Sequence, residues 1–127
     1  MTNIYNILLD NKKIGTTELE KADAPMGLVF GKVNFINIDS GYYFFKTYCQ
    51  TTNIKIVTDY PEDKFISTAD IPNLKILNQN EIEIKGEGIS IEGMDSDTFD
   101  ITVLGITYPF YEEEFPHHVK AYNEMFK

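Results

Sequence analysis

Arginine is missing from the sequence: all 11 basic residues are lysine. The chain therefore lacks the planar guanidinium fork that reads phosphates and guanine edges. Set against 20 acidic residues and a net charge of -9, this absence argues against nucleic acid and against an anionic membrane surface as partners. Tryptophan is missing too, and there is a single cysteine. One thiol excludes an intramolecular disulfide framework and any multi-cysteine zinc site. No apolar run approaches the roughly 20 residues that span a bilayer. Met1 to Asn6 show no basic segment followed by an apolar run, so the sequence predicts no signal peptide and a cytoplasmic location.

What remains is ample for a core. The 127 residues include 9 Phe and 8 Tyr, and a chain of this length is expected to fold as one domain, 1–127. The charge is unevenly placed. Residues 1–80 hold 9 acidic and 8 basic groups, net -1, whereas residues 81–127 hold 11 acidic and 3 basic groups, net -8. A negative surface from the last third would favour a basic protein partner.

From Leu74 to Leu104 apolar and polar residues alternate between turn residues. Leu74 and Ile76, Ile82 and Ile84, Ile89 and Ile91, and Phe99, Ile101 and Val103 each share a parity, the period of half-buried antiparallel strands. Asn78–Asn80, Gly86–Gly88 and Gly93–Asp97 read as the turns of this meander. Upstream, 4–9 and 14–19 read as a hairpin, and 26–36 as a strand in which Gly27 and Gly31 mark a bulge or close packing. Ser40 is a helix N-cap, with Tyr42, Phe45 and Cys49 on one apolar stripe. Strands follow at 54–58 and 64–68, with Pro61 at the second position of the turn between them. Pro116 starts a second helix, with Val119, Tyr122 and Phe126 on its stripe. The expected fold class is α+β: a largely antiparallel twisted sheet of about seven or eight strands, covered by helices near 41–51 and 117–126. A partly closed barrel is the alternative architecture.

The sequence predicts no catalytic, cofactor-binding or metal-binding set, and no enzyme. Cys49 lies on the apolar stripe and reads as a small buried hydrophobe rather than a nucleophile served by His117 or His118. Those histidines are adjacent, whereas a metal pair on a helix needs an i, i+4 spacing. Asp95 to Asp100 places Phe99 at the fifth position of a calcium loop and lacks the glycine at the sixth. The predicted partner-binding residues are instead Asp95 and Asp97 in the third meander turn, with Tyr111, Glu112, Glu113, Glu114 and Phe115. In that set aromatics would give contact area and carboxylates would steer a basic partner.

Residues 14–32, I-G-T-T-E-L-E-K-A-D-A-P-M-G-L-V-F-G-K, resemble the opening of small uncharacterised bacterial proteins, and Y-P-F-Y-E-E-E-F-P at 108–116 is similar to the same set. In size and acidity the chain also resembles the immunity proteins of polymorphic and contact-dependent toxin systems. That resemblance implies an intracellular binding protein that neutralises a basic toxin domain, and it transfers no functional residue. A small-ligand-binding barrel or sandwich, marked by an apolar cavity, is the first alternative, and an enzyme of unrecognised type, marked by convergent carboxylates or a histidine in a cleft, is the second.

Overall fold

The computed structural model of the chain describes residues 3–125. Among these residues the fold is α+β, with ten strands and three helices. Tyr5–Leu9 (β1) and Lys12–Thr17 (β2) form the first hairpin. Leu9 faces Lys12 across it, so Asp10 and Asn11 make the whole loop, both with positive φ. Two such residues are what a type I′ turn requires, and its twist suits the flanking strands.

Lys21–Asp23 (β3) is followed by a 3-10 turn over Ala24–Met26, then by Leu28–Lys32 (β4) and Asn34–Phe35 (β5). Gly27 closes the 3-10 turn at φ 62, and a Cβ there would lie 2.4 Å from the Ile106 carbonyl oxygen. Close packing is thus the role of that glycine. Gly41–Thr52 (α1) begins where expected. Ser40 Oγ accepts a hydrogen bond from the Tyr43 amide at 3.2 Å, and Tyr42, Phe45 and Cys49 form the buried stripe.

Ile56–Tyr60 (β6) and Phe65–Thr68 (β7) flank a turn in which the Asp63 amide donates to the Tyr60 carbonyl, placing Pro61 second. Leu74–Leu77 (β8), Gly88–Met94 (β9) and Phe99–Leu104 (β10) follow. Phe110–Glu114 (α2) and Pro116–Glu124 (α3) complete the described chain. Pro116 does open α3, while α2 lies outside the two expected helices. Phe126, expected on the α3 stripe, lies outside the described residues. Among the described residues no helix is long and apolar enough to cross a membrane.

The expected strands divide between two antiparallel sheets rather than forming one. The first has the order β5-β2-β1-β8 and the second β3-β4-β10-β9-β7-β6. The division falls inside the alternating stretch. β8 pairs with β1, while β9 pairs with β10 and β7. Between them the chain makes only an isolated bridge from Leu77 to Glu83.

Asn78 explains the departure. Its side-chain oxygen accepts from the amides of Asn80 and Ile82, at 2.8 and 3.0 Å. Those groups are thereby withdrawn from a ladder. The chain then crosses to the second sheet, where the Glu87 amide donates to the Leu104 carbonyl. Gly86 permits that close crossing, since a Cβ would lie 2.4 Å from Leu104 O. Ile84 is fully buried and Ile82 is 50% exposed, although the two share a parity.

The inward faces of both sheets build one core. Tyr5, Ile7 and Leu9 come from β1, Leu74 and Ile76 from β8, and Ile89, Ile91, Phe99, Ile101 and Val103 from β9 and β10. Outward on the second sheet, Glu92 stands beside Asp100 and Ser90 beside Thr102. One solvated face and one buried face are the usual state of antiparallel sheets.

Candidate functional site

The acidic run of α2 turns two of its members inward. Tyr111 and Phe115 are completely buried, as an i, i+4 pair on a core-facing helix should be. The Tyr111 hydroxyl donates to the Leu28 carbonyl at 3.0 Å. Burial, then the neighbouring Tyr108 and Asp23, push its pKa up to about 12. Phe115 packs at 5.8 Å from the Tyr5 ring and 5.4 Å from Tyr111. These aromatics are core, and the contact area expected from them is not on the surface.

Glu114 is half-buried and internally engaged. It accepts from the Tyr5 hydroxyl and from Asn78 Nδ2, each at 2.9 Å. Burial first, then the Glu114 charge and hydrogen bond, raise the Tyr5 pKa. Only Glu112 and Glu113 of this run are exposed, in the first turn of α2. There their charges complement the positive end of the helix.

The second predicted segment behaves differently. Asp95 accepts from Ser40 Oγ and from the Tyr42 amide, fastening the start of α1 to the β9–β10 turn. Asp97 projects freely from the same turn. The two acidic segments are not brought together. Asp95–Asp97 precedes the first residue of β10. Tyr111 reaches Leu28, next to the Val29–Val103 pair at the other end of that strand. Six strand residues separate them by about 17 Å.

Three turns do converge around Asp95. Its amide donates to the Lys64 carbonyl at 3.2 Å. The Lys64 ammonium lies over the Tyr43 ring, 5.7 Å from its centre. Asp39 directly precedes Ser40, and Glu62 and Asp63 form the turn before Lys64. The result is a surface with Tyr43 and Tyr60 at 55% and 58% exposure. Asp39, Glu62, Asp63 and Asp97 are exposed around them. None of these four carboxylates joins an ion pair among the described residues, where the pairs are Lys46–Asp59 and Lys120–Glu124. The patch continues onto the open sheet face through the Tyr60–Phe65–Met94 row and the neighbouring Glu92–Asp100 pair.

A polar tie underlies this surface. The Tyr42 hydroxyl donates to Asp59 Oδ1 at 2.6 Å and accepts from Lys46 Nζ at 2.9 Å. Lys46 also pairs with Asp59 Oδ2 at 3.1 Å. The Tyr42 hydrogen bond, followed by those of Lys46, holds the Asp59 carboxyl below its ordinary value. The tie binds α1 to the edge strand β6, which gives the exposed tyrosines a rigid base.

The residues set aside in the sequence occupy structural places. Cys49 is buried, and burial pushes its thiol pKa up, the opposite of what a nucleophile needs. His118 Nε2 lies 2.8 Å from the Leu19 carbonyl, which can only accept, so that nitrogen carries the proton. Burial lowers the pKa of His117. Among the described residues no group of three or more His, Cys, Asp and Glu side chains is placed to hold a metal ion.

The exposed tyrosines went unnoticed in the sequence. Tyr43 sits one position off the buried stripe of α1, the signal that would have placed it outward. Comparison with known proteins finds no matching family model, curated protein or solved structure.

Proposed function

We propose that the chain is a cytoplasmic protein-binding domain that captures a basic protein partner, in the manner of an immunity protein neutralising a toxin domain. The observation that carries this reading is the pair of exposed tyrosines, Tyr43 and Tyr60, set among the unpaired carboxylates of Asp39, Glu62, Asp63 and Asp97. Tyrosine is enriched at binding hot spots because it offers a large, stiff contact area with a polar tip. Unpaired surface carboxylates add little to affinity at contact, but they steer a cationic partner and raise the association rate. The carboxylates anchored inside the fold, Asp95 and Glu114, position this surface or hold the core and do not steer.

The test is association with the product of the neighbouring gene, followed by stopped flow. Tyr43→Ala and Tyr60→Ala should each weaken binding by about 2 kcal/mol, mainly through faster dissociation. Unchanged affinity in both variants would remove this surface from the reading.

A further inference from the structure

A cleft of about 680 Å³ opens between the β1–β2 turn, the 36–40 loop and one face of α1. Its lining is largely apolar: Leu9 and Ile14 from the hairpin, Ile36 and Ile38 from the loop, Phe44 and Tyr48 from the helix. Leu9 and Ile14 are buried at its base, whereas Ile36 is 40% exposed. Phe44 and Tyr48 lie four residues apart, so α1 turns a second, wetter stripe to the hairpin beside its buried one. An apolar concavity left open to water is the usual mark of a binding site.

The cleft is continuous with the acidic, tyrosine-bearing surface. Tyr43 and Asp39 line it and belong to that surface as well. Tyr43 is the link, since its ring also carries the Lys64 ammonium of the β6–β7 turn at 5.7 Å. The two ends of the cleft differ in charge. At the hairpin end both signs stand together. Asp10 accepts from the Tyr48 hydroxyl at 3.2 Å, and Lys12 pairs with Leu9 and shares its side of the ribbon. Lys13 pairs with Leu8 and takes the opposite side, as successive strand residues do. At the loop end Asp39 is exposed and joins no ion pair among the described residues. A cation is therefore held best at the Asp39 end, where the acidic surface begins.

We infer that this cleft seats an apolar anchor of the basic partner, a leucine- or phenylalanine-sized side chain with a lysine or arginine next to it in sequence. The anchor lies over Ile14, Ile38 and Phe44, and the neighbouring cation meets Asp39. The inference rests on the protein-binding reading and names what the partner must present. Exposed carboxylates steer a partner but hold it weakly, and most of the energy of a complex comes from a few side chains buried in pockets. The turns around Tyr43 and Tyr60 supply the steering rim, and the cleft supplies the pocket. Its volume is in the range that holds a drug-sized molecule, so the anchor enters together with the backbone that carries it.

The experiment is titration of the isotope-labelled full chain, followed by its amide resonances, with acetyl-Lys-Phe-Lys-amide, acetyl-Lys-Ala-Lys-amide and acetyl-Glu-Phe-Glu-amide. The first peptide should shift Ile14, Ile38 and Phe44 saturably. The second, without the anchor, and the third, without the cations, should bind there about tenfold more weakly or not at all. Asp39→Lys should cancel the preference for the first peptide over the third, with circular dichroism unchanged because the side chain is exposed. Phe44→Ala should lose about tenfold of the first peptide's affinity. Phe44 also packs edge-on against Phe45, so Ile36→Ala is the second variant, changing the lining at an exposed position and weakening the same peptide. Absence of saturable shifts at the cleft, equal binding of the alanine peptide, or full affinity in both lining variants would each overturn the inference. The protein-binding reading fails separately, because Tyr60 lies outside the cleft. If Tyr60→Ala weakens binding of the neighbouring gene's product while Phe44→Ala and Ile36→Ala do not, the anchor falls and that reading stands; full affinity in all three overturns both.

Discussion

The Tyr5 hydroxyl donates to Glu114 Oε2 at 2.9 Å, joining β1 to α2 across 109 positions of chain. The same carboxylate holds Asn78 at the end of β8, so one side chain secures the first sheet beneath the second helix. Glu114→Ala leaves the Tyr5 hydroxyl and the Asn78 amide without that acceptor. A loss of about 2 kcal/mol is expected, from the cost of unsatisfied part-buried donors. Urea unfolding should show it as a lower midpoint with an unchanged slope.

Ile82 and Ile84 separate alternation from burial. Ile84→Ala should cost about 2–5 kcal/mol, as for an aliphatic side chain in a packed core. Ile82→Ala should stay within about 0.5 kcal/mol, because its side chain is half in water. Equal costs would mean that residues 81–87 run as a regular strand.

Asp59 gives a pH dependence with a definite sign. Its native carboxyl lies below the ordinary 3.8, so the ionised form is favoured by folding. The stabilisation is present above the unfolded value and disappears as the pH falls through the native one. The stability gap between the wild-type chain and Asp59→Asn should be constant near neutrality and close below pH 3.8 in acid titrations followed by circular dichroism.

Cys49 should resist thiol reagents in the folded protein. Its pKa is raised by burial, so both access and thiolate fraction are low. Labelling with a chromogenic disulfide should proceed only through opening of the fold, and accelerate with added urea in step with unfolding.

Reversal of Asp39, Glu62, Asp63 and Asp97 to Lys should slow association with the partner at low salt and flatten its salt dependence. Reversal of Glu112 and Glu113, at the far end of β10, should leave both nearly unchanged. The opposite ranking would return the interface to α2.

Local signals in the sequence read well because their causes are local. Ser40 caps α1, Pro61 turns β6 into β7, Pro116 opens α3, and the Tyr42–Phe45–Cys49 stripe faces the core. The division of the sheet was hidden for a physical reason. Alternation states which side of a strand is wet, and says nothing of which neighbour it pairs with; β8 chose β1, from the other end of the chain. The role of Glu114 was equally unreadable, since both of its donors are distant in sequence. Tyr111 and Phe115 were legible in principle, because their i, i+4 spacing marks a buried helix face.

The strand margins bear on how the protein behaves when crowded. β5 has two residues and β3 has three. The β6 ladder slips between Ile56 and Thr58, and β8 is partly shielded by the bridge to Glu83. A second molecule therefore meets no long, straight row of free amides and carbonyls on which to extend either sheet, and short or bulged margins are the recognised defence against such growth. Together with mutual repulsion among copies carrying a charge of -9, this favours a chain that stays dispersed at high concentration.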